Sequence, residues 1–167
     1  MDIMVRHAEP SDAEALHRLF QARSVIAGTL QLPFPKLSLW RERLQNTPEG
    51  LYQLVACIEE EVVGSLTLHT SPTRQRMRHV GSIGMAVRDD WQGRGVGTEL
   101  MRAALDLAEN WLNLTRIELD VYTDNKAGMA FRLPKASTSV APRSPHNAPL
   151  TSGVPSSRTT TRSLRIL

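Results

Sequence analysis

Apolar positions along the chain change period several times, and each change marks an element. Residues 3–6 read as a short strand. Ala15, Leu16, Leu19 and Phe20 then follow at helical spacing, with Ser11 three residues before Glu14, the arrangement of a capping box. Pro33 and Pro35 break regular structure, and Ser38 is placed to cap a second helix carrying Leu39, Trp40 and Leu44, which Pro48 and Gly50 end. Residues 51–58 and 62–68 are β-rich runs around the solvated turn Glu59, Glu60 and Glu61. A third run, 80–87, follows the basic loop that holds Arg74, Arg76 and Arg78. So short a connection favours an antiparallel neighbour, which makes a three-stranded meander.

Helical periodicity returns at Thr98, with Leu100, Met101, Ala104, Leu105, Ala108, Trp111 and Leu112 spaced to face one side. Residues 117–122 alternate Ile117, Leu119 and Val121 with Glu118, Asp120 and Tyr122, the period of a half-buried strand. Strand, loop, helix and strand in this order form a right-handed crossover between two parallel strands. The expected class is therefore α/β (α+β): a mixed central sheet with an antiparallel meander followed by a parallel unit. Asn125 begins a further helical pattern that Pro134 stops. Residues 134–167 then hold half of the prolines, many Ser and Thr, no aromatic residue and no apolar periodicity. Two domains of unequal order are expected: a core over 1–131, incomplete at its C-terminal end, and a disordered Pro/Ser/Thr/Arg-rich tail over 132–167.

The junction at residues 85–98 carries the chemistry. An apolar strand runs into Gly93, Gly95 and Gly97, interleaved with Arg94 and Val96, at the start of a helix. Glycines let the backbone curl closely around an anion, and the helix N-terminus offers unpaired amides and a positive dipole end. A dinucleotide-binding fold needs a third glycine where Thr98 stands, and a Walker loop needs a Lys, of which there is none between Lys36 and Lys126. Gln92-Gly-Arg-Gly-Val-Gly97 resembles instead the Q/R-x-x-G-x-G/A motif of the GNAT superfamily of N-acetyltransferases. LQLPFP, the W-x-E-R-L at Trp40, QLVACI, VVGSLTL and NWLNLTRIELDVYTDN are similar to segments of bacterial L-amino-acid N-acetyltransferases, so that the likeness covers residues 3–131.

The resemblance implies acetyl-CoA as cosubstrate and a small-molecule amine as acceptor, with the α-amino group of an L-amino acid as one candidate. It implies that Met85, Ala86 and Val87 meet the pantetheine arm and that Gln92, Gly93, Arg94, Gly95, Val96, Gly97 and Thr98 hold the pyrophosphate, with Asn125 matching the start of a further cofactor-side motif. Transfer to an amine also needs a polarised carbonyl, a base and an acid. A backbone N–H of residues 85–87 suits the carbonyl. Ser82, Glu118 and Asp120 are the candidates for the base, and His79 reads as a solvated strand-end residue. The family's usual Tyr donor, in a pattern N-x-x-A-x-x-x-Y-x-x-x-G-F, has no counterpart after Asn125, because the chain continues FRLPKASTSV.

That break suggests an out-of-frame translation of the coding DNA. Back-translated and read two nucleotides later, Pro134-Lys-Ala-Ser allows Glu-Gly-Phe, and the two final strands of the fold are expected to be missing. A catalytically impaired acyl-CoA-binding remnant is the alternative reading.

Charge adds a second alternative. All 17 acidic residues lie at or before Asp124, while Lys126, Arg132, Lys135, Arg143, Arg158, Arg162 and Arg165 follow with no acid, so the basic character belongs to the tail. Such a tail attracts nucleic acid, but without stacking aromatics it offers no specific site. The lone Cys57 lies in an apolar run, no Cys/His spacing suggests a metal, and no apolar segment has membrane-span length. A cytoplasmic enzyme is expected, with a homodimer left open.

Overall fold

Seven strands join in one mixed sheet: β1 (Met4–His7), β2 (Leu51–Ile58), β3 (Glu61–Thr70), β4 (Val80–Val87), β5 (Arg116–Tyr122), β6 (Ala136–Pro142) and β7 (Thr160–Ile166). Their spatial order is β1-β2-β3-β4-β5-β7-β6. The computed structural model describes residues 2–29, 31–122, 125 and 128, and the backbone of 136–142 and 160–166. Strands β1 to β4 pair antiparallel in sequence order, as the meander predicts, and β4 pairs with β5 in parallel.

The hairpin between β2 and β3 turns on Glu59 and Glu60, both with positive φ, the backbone of a two-residue primed turn. Four α-helices among the described residues complete the core: α1 (Ala13–Gln21), α2 (Arg23–Gly28), α3 (Leu37–Gln45) and α4 (Val96–Asp106).

The helices divide between the two faces of the sheet. On one face α4 sets Leu100, Met101 and Ala104 against Leu54, Leu66, Leu68, Ile83 and Ile117. On the other, Leu16, Leu19 and Phe20 of α1 and Trp40 and Leu44 of α3 pack over Val55, Cys57, Val62 and Ala86. Burying each such large apolar side chain is worth about 1.5–3 kcal/mol. Gly64 of β3 faces α4, where a Cβ would stand 2.9 Å from a Val96 methyl and 3.1 Å from one of Leu100, so the missing side chain lets the helix settle onto the sheet.

Several sequence expectations change. Ser11 does not cap α1: Pro10 opens a 3₁₀ turn one step earlier, and the buried Asp12 carboxylate accepts the Glu9 amide at 2.7 Å. Asp12 also takes both Arg6 guanidinium contacts, at 2.7 and 2.9 Å. Ser38 lies inside the first turn of α3, whose N-cap is Lys36. α2 was not anticipated, since six residues between Ala22 and Thr29 carry no capping side chain.

Trp111 is 77% exposed instead of facing the core. Residues Leu107–Trp111 form a π turn, and its extra residue rotates the following positions off the apolar stripe.

The C-terminal expectation is also corrected. β7 pairs with β5 from Ile117↔Ile166 to Tyr122↔Thr161, and β6 lies outside it, so the final strands are present and cover the edge of β5 that faces away from β4. A ladder draws on backbone groups that every non-proline residue carries, and 160–166 (TTRSLRI) contains the β-branched residues that strands favour. The expected disorder of the remaining tail lies outside the described residues.

Candidate functional site

The site begins with the unequal edges of β4. Its ladder with β3 runs over seven positions, from Thr70↔Gly81 to Gly64↔Val87. Its ladder with β5 holds only Val80↔Arg116, Gly81↔Ile117 and Ser82↔Glu118. The Arg88 amide donates to Val63 O, and His79 O accepts from Thr115 and Arg116. Because backbone polar groups alternate sides along a strand, even-numbered residues of β4 turn toward β3 and odd-numbered ones toward β5. The Met85 and Val87 amides therefore point into the gap that opens beyond Ser82, with no strand partner among the described residues.

At the open end of this gap the chain makes a 3₁₀ turn, Asp89–Trp91, and then the glycine loop. Gly93 and Gly95 take φ of +72° and +88°, in the left-handed region, and Gly95 is the N-cap of α4 with no side chain capping it. The first amide bonded back within the helix is Glu99 N, to Gly95 O at 3.1 Å, so the amides of Val96, Gly97 and Thr98 have no acceptor in the helix. A Cβ added at Gly93 would meet no atom within 4 Å, leaving open space over the loop. These features fit an anion of pyrophosphate size: exposed backbone, unpaired amides and the positive end of a helix.

Side chains fix this loop from three directions. Gln92 Nε2 donates to Val87 O at 3.3 Å and to Asp89 Oδ1 at 3.0 Å, which ties the loop to the end of β4. Ser24 of α2 donates to Asp89 at 2.7 Å. Arg88 bridges Asp90 and Glu61, and these two carboxylates hold its guanidinium pKa above the usual arginine value. Arg94 does not enter the cradle; it lies 4.9 Å over the Trp91 ring, which itself packs against the α4-side core.

A sequence model described as Acetyltransferase (GNAT) family matches residues 14–132. The chain belongs to the GNAT acetyltransferase family. It is 44% identical over 124 residues, 74% of this chain and 75% of the relative, to the L-amino acid N-acetyltransferase AaaT of Escherichia coli. Among solved structures, the ribosomal-protein-alanine N-acetyltransferase of Brucella melitensis superposes with a TM-score of 0.77 at 21% identity, covering 98% of this chain and 99% of that one. The yncA protein of Salmonella typhimurium, solved with its cofactor acetyl-CoA, gives 0.69 at 16% identity, over 99% and 92% of the two chains.

Within this GNAT sheet the candidate bases fall on one face. Ser82 stands directly opposite Glu118 at the last β4–β5 pair, and Asp120 and Tyr122 share that face of β5. Glu118 is ion-paired with Arg116. Asn125 follows β5, its Oδ1 accepting the Gly128 amide at 2.9 Å, and its carboxamide lies beside Gly28 at the end of α2.

The basic loop with Arg74, Arg76 and Arg78 is exposed at the start of β4, the opposite end of the strand from the glycines. A cavity of about 330 Å³ at that end, lined by Tyr52, Thr70, Arg78, His79 and Leu112, is separate from the cradle. No helix among the described residues is long and apolar enough to cross a membrane.

One polar group near the site escaped the sequence reading: His69 of β3, which pairs directly with Ser82. Only strand register brings it there. A lone histidine in a β-rich run carries no signal of its own.

Proposed function

We propose that the acceptor of this acetyltransferase is the α-amino group of an L-amino acid, and that acetyl-CoA lies along the free edge of β4. The observation that carries the cofactor placement is the ladder that stops at Ser82↔Glu118 beside an uncapped α4. An extended chain of amides is suited to the Met85 and Val87 groups as an added strand, with Ala86 between them. The loop Gln92, Gly93, Arg94, Gly95, Val96, Gly97 and Thr98 is assigned the pyrophosphate, and Asn125 the other flank of the cofactor. Bound acetyl-CoA supplies an activated acetyl thioester. A β4 amide is assigned to polarise the carbonyl, since a fixed donor in a sheltered site stabilises developing oxyanion charge. The amino-acid class is supported by the 44% identity to a relative named for that activity.

Thermal melts with and without acetyl-CoA test the cofactor assignment. Ligand at a hundred times its Kd adds about 2.7 kcal/mol, which for a chain of this size raises Tm by roughly 5–10 °C. Absence of any shift overturns the placement. A panel of L-amino acids, read by thiol release, tests the acceptor: turnover confined to polyamines or peptide N-termini overturns the amino-acid assignment.

A further inference from the structure

Resting on the acetyltransferase reading, we infer that His69 is the general base that takes the proton from the acceptor ammonium. The geometry comes from register. His69 pairs with Ser82 across β3 and β4, and Ser82 pairs with Glu118 across β4 and β5, so the three side chains form one row on one face. Since even-numbered β4 residues exchange hydrogen bonds with β3, the Cα atoms of His69 and Ser82 stand about 5.5 Å apart. This row marks the point where β4 and β5 part, the inner end of the gap that opens toward the glycine loop. Beside it on the same face is Gly84, where an added Cβ would meet nothing within 4 Å, leaving room for an acceptor over the strand.

Chemistry selects His69 from this row. The Ser82 hydroxyl is far too weak a base near neutral pH, and the Glu118 carboxylate is engaged by Arg116. An imidazole both accepts and releases a proton in that range. The charged group acting on His69 is Arg43 of α3, while Glu118, paired with Arg116, shares its face two strands away on β5. His69 is exposed to solvent on this open face, and desolvation first and the Arg43 cation second lower its imidazole pKa, the direction that favours the neutral, proton-accepting ring.

The step balances as follows. The ammonium gives one proton to His69, and the freed nitrogen lone pair forms the C–N bond at the thioester carbonyl carbon. The C–S bond breaks, the second amine proton passes to the departing sulfur, and His69 returns its proton to water.

The test uses the full chain and its best amino-acid acceptor from the panel. His69→Gln should lower kcat/KM at pH 7 about 100-fold or more, within the range of general base catalysis, while the acetyl-CoA melt shift is kept. In the unaltered protein log kcat/KM should level off near neutral pH. In the variant it should keep climbing toward the pKa of the free amine, so that activity is recovered at alkaline pH. His79→Gln, at the far end of β4, should keep the original profile.

Unchanged rate and pH profile in His69→Gln, with the melt shift present, overturn the base assignment alone. Absence of the melt shift in the unaltered protein overturns the acetyltransferase reading and the assignment with it.

Discussion

The face of the sheet under α4 and the face under α1 and α3 use the same strands but are filled differently. Under α4 the buried residues are apolar throughout, from Leu54 to Ile117. Under α1 and α3 the apolar cluster is interrupted by buried Gln53, Ser65 and Thr67, joined by hydrogen bonds. Gln53 Nε2 donates to Ser65 Oγ at 2.6 Å, Ser65 donates to Leu54 O at 3.1 Å, and Thr67 donates to Gln53 Oε1 at 2.9 Å. This row continues outward through His69, Ser82 and Glu118. The dry face seats α4, whose N-terminus follows the glycine loop, while the polar face carries the row proposed to handle the proton.

Substitutions on each face sharpen the contrast. Leu66, fully buried under α4, should cost about 2–5 kcal/mol when cut to Ala, measured by chemical denaturation, because the cavity left behind cannot collapse. Thr67→Val keeps the shape but leaves Gln53 Oε1 without its donor, with an expected cost of about 1–3 kcal/mol in the same measurement. If both cost the same as a neutral surface change, the two-face description fails.

The polar face should also show in acid. The Arg6 hydrogen bond, against an opposing desolvation, holds the Asp12 carboxyl below the usual carboxylate value. A depressed folded-state pKa means that this contribution is complete above the unfolded value and is lost as pH falls through the folded one. Asp12→Asn should flatten the fall in Tm over that acidic window, and an unchanged acid profile would sink this attribution. On the α4 face, Gly64→Ala should likewise cost about 1–3 kcal/mol, through overpacking against Val96 and Leu100.

The α4 face was the more legible in sequence. Leu100, Met101, Ala104 and Ala108 declare a helix stripe by spacing alone, and all four are buried. The glycine spacing located the loop because φ values near +70° to +90° have few alternatives to glycine. The polar face was less legible because its organisation depends on register. Glu118 and Asp120 were read from alternation, yet nothing in the order of residues says that His69 lies against Ser82.

Trp111 misled for a local reason, a π turn that no spacing rule anticipates. The final strands are not legible because a Ser-, Thr- and Pro-rich composition carries no apolar period, whereas any extended backbone can continue a ladder.

Gly64 has a consequence beyond packing. It pairs with Val87 at the end of β4 while accommodating the first turn of α4 on the sheet. The clearance between the glycine-capped end of α4 and the strand edge is therefore set from β3, by the lack of one methyl group. A residue that touches no substrate acts as a spacer gauge for two others, and a change there would alter recognition by misaligning two otherwise intact halves of a grip.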